Sequence, residues 1–165
     1  MSGQHNLQWL YGEKSLGEVC GWETEEVRIV ADLGFALAEQ GREREAVTIF
    51  EGLAALSPHN NRAYAYFQSA LGALRLRLNN PHKAVAHLTA SLNIDAGNIS
   101  TLVNRGEAYL KMGEYAAASA DFQRALSLGQ TERDDHQLAP FLVRARALLD
   151  NLPNLERAAL AERRR

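Results

Sequence analysis

The residues whose types could do chemistry are few in this chain of 165 residues: His5, His59, His82, His87, His136, a single cysteine at Cys20, and the run Asp134-Asp135-His136. That run has the makings of an acid–base pair. It lies at the end of the polar linker that begins with Gln130 to Asp135, ahead of an apolar-periodic segment, and there it reads as a cap for the following helix. His82 and His87 are five apart, whereas two ligands on one helix face need a spacing of four. Cys20 has no second cysteine with which to form a disulfide or a thiolate metal site. Neither a Gly-x-Ser-x-Gly elbow nor a phosphate-binding glycine loop is present. The expectation is a protein without catalytic residues, metal or cofactor.

The elements that would position any functional side chain are set by an internal repeat. Gly34, Gly72 and Gly106 are each followed after twelve residues by Ala46, Ala84 and Ala118, and four further on by Phe50, Leu88 and Phe122. Seven residues after each glycine come Gly41, Asn79 and Gly113, residue types that tolerate tight turns. A period of 34 to 38 residues with small residues at fixed phase predicts a stack of helical hairpins. A glycine or alanine lets two helices cross closely, and the large residue one turn later fills the adjoining gap. A bulky residue at Ala118 would force its hairpin open at a cost of roughly 1–3 kcal/mol.

Three hairpins are expected, over residues 24–60, 61–98 and 99–130. The first pairs Glu25 to Gln40 with Glu43 to Leu56, with Thr24 as N-cap and Ser57-Pro58 as the stop. In the second, Asn79-Asn80-Pro81 makes the turn. Its four additional residues fall between Pro58 and Gly72, close to one helical turn, so the first helix of that hairpin should be longer. The third pairs Ile99 to Met112 with Tyr115 to Leu128. A capping helix is expected within 131–152, built on Leu138, Phe141, Leu142, Ala145, Leu148 and Leu149 and ended by Asn151-Leu152-Pro153; a terminal repeat needs such a cover for its apolar face. Residues 153–165 read as a charged, frayed tail. The extension 1–23 carries Leu7, Leu10, Tyr11, Leu16 and Val19 at amphipathic spacing, interrupted by Gly12, Gly17 and Gly21.

These positions resemble the tetratricopeptide repeat. Val30-x-x-Leu33-Gly34-x-x-Leu37 with Ala46, Phe50 and Pro58 is similar to its pattern. So are Leu71-Gly72 with Ala84 and Leu88, and Leu102-x-x-Arg105-Gly106-x-x-Tyr109 with Ala118 and Phe122. Arg75 and Arg105 depart from it at usually apolar or aromatic positions. The resemblance implies an all-α, right-handed superhelix of three hairpins with an N-terminal helical extension and a C-terminal capping helix. The run Ala36 to Gly41, then Ala46-x-x-Ile49-Phe50-Glu51-x-Leu53, and the segment Phe141 to Leu149 further resemble the translocator chaperones of type III secretion. That likeness implies a cytoplasmic chaperone holding secretion substrates in a concave groove, with a general scaffold as the alternative, and a homodimer formed through the N-terminal segment.

In such repeats the first helix of each hairpin lines the groove. The resemblance therefore points to Arg28, Ala31 and Phe35, then Tyr66, Ser69 and Ala73, then Val103, Asn104 and Glu107. Repeats that grip a C-terminal carboxylate carry Lys and Asn at set groove positions; here Ala31 and Phe35 stand in the first-repeat slots, Ser100 replaces a third-repeat lysine and only Asn104 could serve, which argues against that ligand. A net charge of −2 offers no basic stripe for nucleic acid. No apolar run is long enough to span a bilayer. The start of the chain shows no basic patch followed by an apolar stretch, so the expected partner is a polypeptide in the cytoplasm.

Overall fold

The computed structural model describes residues 24–58, 61–130 and 136–162. Within them lie seven helices and no strand: α1 (Thr24–Glu39), α2 (Glu43–Leu56), α3 (Arg62–Arg77), α4 (Pro81–Leu92), α5 (Ile99–Met112), α6 (Tyr115–Gly129) and α7 (Ala139–Glu162). Each helix packs on the next along the chain, and α3 also meets α5, as α5 meets α7. This is a right-handed superhelix of three hairpins closed by a final helix.

The three turns within hairpins have one cause. Gly41 and Gly113 adopt φ of 76° and 77°, and Asn79 adopts 54°. This left-handed region costs an ordinary residue about 1–2 kcal/mol, and asparagine is the side chain that enters it most readily after glycine. The crossings are equally specific. A Cβ on Gly106 would lie 2.5 Å from Phe122 Cε1, and one on Gly34 would lie 2.9 Å from Phe50 Cε2; on Gly72 it would overlap the Leu88 side chain. Phe50, Phe122, Leu88, Ala46, Ala84 and Ala118 are fully buried at these crossings.

Ten residues of α3 precede Gly72, against seven of α5 before Gly106. Most of the four-residue irregularity is therefore a longer first helix, which keeps the apolar face in phase. Asn61, Asn80 and Asn98 cap α3, α4 and α5, each accepting from a backbone N–H three residues on. The two arginines that depart from the repeat pattern have partners on the facing helix. Arg105 makes a two-pronged pair with Asp121, both bonds 2.8 Å long, and also donates to Thr89 at 3.2 Å. Arg75 reaches Glu51 of the preceding hairpin at 2.5 Å.

The closing helix corrects the expected boundary. It does not stop at Asn151-Leu152-Pro153: α7 runs through Pro153 to Glu162, so residues 153–162 are helical. Proline removes one helical donor there. Leu152 is nevertheless buried against the third hairpin, while of residues 153–162 all but the half-buried Ala159 are exposed. At its start, Gly129 repeats the crossing logic, because a Cβ there would lie 2.5 Å from the Leu142 side chain. The expected N-terminal extension, Cys20, His5, His59, Asp134-Asp135 and Arg163 to Arg165 lie outside the described residues.

Candidate peptide-binding groove

A concavity of about 510 Å³ is centred on α3 and flanked by α1 and α5. Phe35 of α1, Arg62, Ala65, Tyr66, Ser69, Ala70 and Ala73 of α3, and Ser100 and Asn104 of α5 line it, together with Ser91, Asp95 and Asn98 from the end of α4 and the following loop. The volume lies within the range of ligand sites. Most of its lining comes from the first helices of the three hairpins, as the superhelical stack requires.

One end is aromatic. Phe35 stands 4.9 Å from Phe50 and 5.7 Å, edge to face, from Tyr66; Tyr66 in turn meets Phe67 at 5.8 Å. Phe50 and Phe67 are core, so the two groove rings rest on a fixed base. Tyr66 keeps 53% of its surface exposed, unusual for so large a side chain with ring neighbours on two sides. Partial burial, and secondarily the Asp32 carboxylate, raise its phenol above the usual range, so it remains a neutral donor at physiological pH.

The other end is polar and already knitted. Ser69 Oγ and Thr101 Oγ1 are 2.7 Å apart. Asn98 Oδ1 accepts from Thr101 N, Thr101 Oγ1 and Ser100 Oγ at 3.0, 2.8 and 2.8 Å. Asn104 Oδ1 accepts from Arg144 Nη2 of α7 at 2.8 Å. Between the two ends Ala70 and Ala73 leave the wall low enough for a main chain to approach.

The fold brings Phe35, Tyr66, Ser69, Ala73 and Asn104 together, and it places the other four residues assigned to the groove elsewhere. Arg28 turns along its own exposed helix face to Glu25 (2.5 Å) and Asp32 (3.7 Å). Ala31 is buried between the first two hairpins. Val103 is 0% exposed, in the cluster that holds Ala145 and Leu152 of α7, because the closing helix stacks on that side of α5. Glu107 faces α7, where Arg144 Nε lies 2.6 Å away as a close ion pair without hydrogen-bond alignment. Burial raises the Glu107 carboxyl, with Arg144 and Lys111 opposing the shift. Sequence reasoning misses Arg62, Ala65, Ala70, Ser91, Asp95 and Asn98. The Asn98 cap had a local signal, an asparagine just ahead of an apolar-periodic run.

Among the described residues no group of three or more histidine, cysteine or acidic side chains is placed to hold a metal. Nor is any described helix long and apolar enough to cross a membrane.

The architecture is that of tetratricopeptide-repeat proteins, and the family model "Tetratricopeptide repeat" matches residues 99–131. Similar structures include a T3SS complex from Aeromonas hydrophila, with a TM-score of 0.77 and 23% identity over 92% of this chain and 97% of that one. Another is the type III secretion chaperone SycD of Yersinia enterocolitica in complex with a peptide of the translocator YopD, with a TM-score of 0.69 and 18% identity over 79% of this chain and 95% of that one. Among curated proteins, Superkiller protein 3 of Schizosaccharomyces pombe is 33% identical over 64 residues, 39% of this chain. That stretch spans 5% of the relative's length.

Proposed function

We propose that this protein is a non-catalytic chaperone of the type III secretion translocator kind, which holds an extended segment of its client in the concave groove in the cytoplasm. The observation that carries this reading is the groove itself: an exposed tyrosine and a phenylalanine on a buried base, followed by small side chains and then amides. Such a surface offers apolar anchoring at one end and main-chain hydrogen bonding at the other, as extended-peptide sites do. The SycD complex with a translocator peptide supports it, since a likeness of fold extends over 95% of that chain. The N-terminal segment is proposed to join two copies. Its apolar residues precede α1 directly, and Ile29 and Leu33 of α1 are exposed at the first hairpin.

Co-expression tests the function. The polypeptide encoded beside this chain should be recovered soluble only when the chain is present, and solubility that does not depend on it would leave a bridging scaffold as the better account. Removal of residues 1–23 should convert a dimer to a monomer in sedimentation; an unchanged mass would contradict the pairing.

A further inference from the structure

Both asparagines that line the groove have their oxygens engaged within the protein. Arginine has donors only, so the atom of Asn104 that faces Arg144 Nη2 at 2.8 Å must be Oδ1, and the orientation of the amide is thereby settled. With its oxygen turned to Arg144, Asn104 keeps both N–H groups of Nδ2, beside one remaining lone pair of Oδ1, to offer a ligand. Asn98 is in the same position, because its oxygen already accepts from Thr101 and Ser100. The polar end of the groove therefore presents N–H donors among small side chains. Arg62 and Asp95 both line the same space, so no net charge there recruits a free carboxylate. Donors beside alanines and serines, without surplus charge, fit the carbonyl oxygens of a main chain.

Arg144 is itself held. Its guanidinium lies against Glu107 and stands 5.2 Å from the centre of the Phe141 ring. Glu107 is on α5, whereas Arg144 and Phe141 are on α7. The path from the closing helix to the groove is thus Phe141 and Glu107, then Arg144, then Asn104.

We infer that the closing helix is part of the binding device: Arg144 acts as a positioning residue that holds the oxygen of Asn104 and leaves its Nδ2 to donate to a backbone carbonyl of the bound segment. This rests on the reading of the groove as a peptide site. It assigns α7 a role in recognition beyond covering an apolar end.

Asn104→Asp separates the two duties of the side chain. An aspartate keeps an acceptor for Arg144 but has no N–H for a ligand. The probe is a fluorescein-labelled dodecapeptide selected from a random phage library on the wild-type full chain, titrated against folded variants by anisotropy. Asn104→Asp should weaken it about tenfold, the upper end of what one lost hydrogen bond is worth, with an unchanged melting temperature. Arg144→Leu should weaken it similarly. A thioamide at the contacted peptide position should weaken binding to wild type and have no further effect on Asn104→Asp.

Wild-type affinity in Asn104→Asp, or a thioamide effect equal in both proteins, would overturn the inference. If Tyr66→Ala abolishes binding while Asn104→Asp does not, the groove stands and only the inference falls. If no peptide is enriched on wild type, the groove reading falls first and takes the inference with it.

Discussion

Arg105 occupies a position that the repeat pattern reserves for apolar side chains, and its pairing with Asp121 explains how a charge is tolerated there. The hydrogen bonds to Asp121 hold the guanidinium pKa above its usual value against the opposing effect of burial. Removing one partner of such a pair strands a buried charge, so Asp121→Ala should cost about 3–5 kcal/mol in chemical denaturation. Replacing both with apolar side chains, as in Arg105→Met with Asp121→Leu, should recover most of that loss. A double variant no more stable than Asp121→Ala would contradict the pairing as the cause. His87 gives a pH signature. Its ring meets Gln68 Oε1 at 2.7 Å, and burial first, then Arg75 and Lys83, depress its pKa below 6.5, with Glu51 opposing. Between the folded and unfolded values the unfolded chain binds more protons, so this stability is complete above the unfolded pKa and is lost as pH falls through the folded one. The stability difference between wild type and His87→Asn should shift against wild type on going from about pH 8 to about pH 5. A difference flat across that range would show that the ring titrates as it does in the unfolded chain.

The helices carry the features that are legible in the sequence. Gly34, Gly72 and Gly106 announce close crossings because only a missing Cβ admits the ring or isobutyl group opposite. Asn79 takes its place beside Gly41 and Gly113 because a left-handed turn recurs at one phase. Both signals are local and periodic. Gly106→Ala should therefore cost about 1–3 kcal/mol by crowding Phe122, whereas an alanine at Gly52, which has open space around it, should cost far less. Equal effects in thermal melting would mean that the crossing is not tight. What the sequence leaves hidden depends on neighbours distant in the chain. The family resemblance points to Ala31 and Val103 as groove residues, yet the second hairpin and α7 cover them. Pro153 reads as a stop, yet the helix passes it to Glu162; Leu152, just ahead of it, is buried by the third hairpin. The contact between Arg144 and Asn104 joins residues 40 apart and leaves no periodic trace.

As a whole the molecule is a stack whose inner wall remains open. Phe35, Tyr66, Ser69, Ala73 and Asn104 line the concavity, and the family resemblance, which puts the first helix of each hairpin inward, points to them. Arg62, Asp95 and Asn98 enter from a helix start and a connecting loop whose paths the phase does not set. The central claim is that this wall binds an extended polypeptide. The most direct measurement is the affinity of Phe35→Ala and Tyr66→Ala for the co-purified client, expressed per folded molecule and set beside their melting temperatures. Truncating a contact aromatic should weaken binding by roughly ten- to thirtyfold, about 1–2 kcal/mol, with little change in melting for the exposed Tyr66. Melting temperatures that fall while affinity per folded molecule stays at the wild-type value would place both rings in the core and contradict the groove as the binding site.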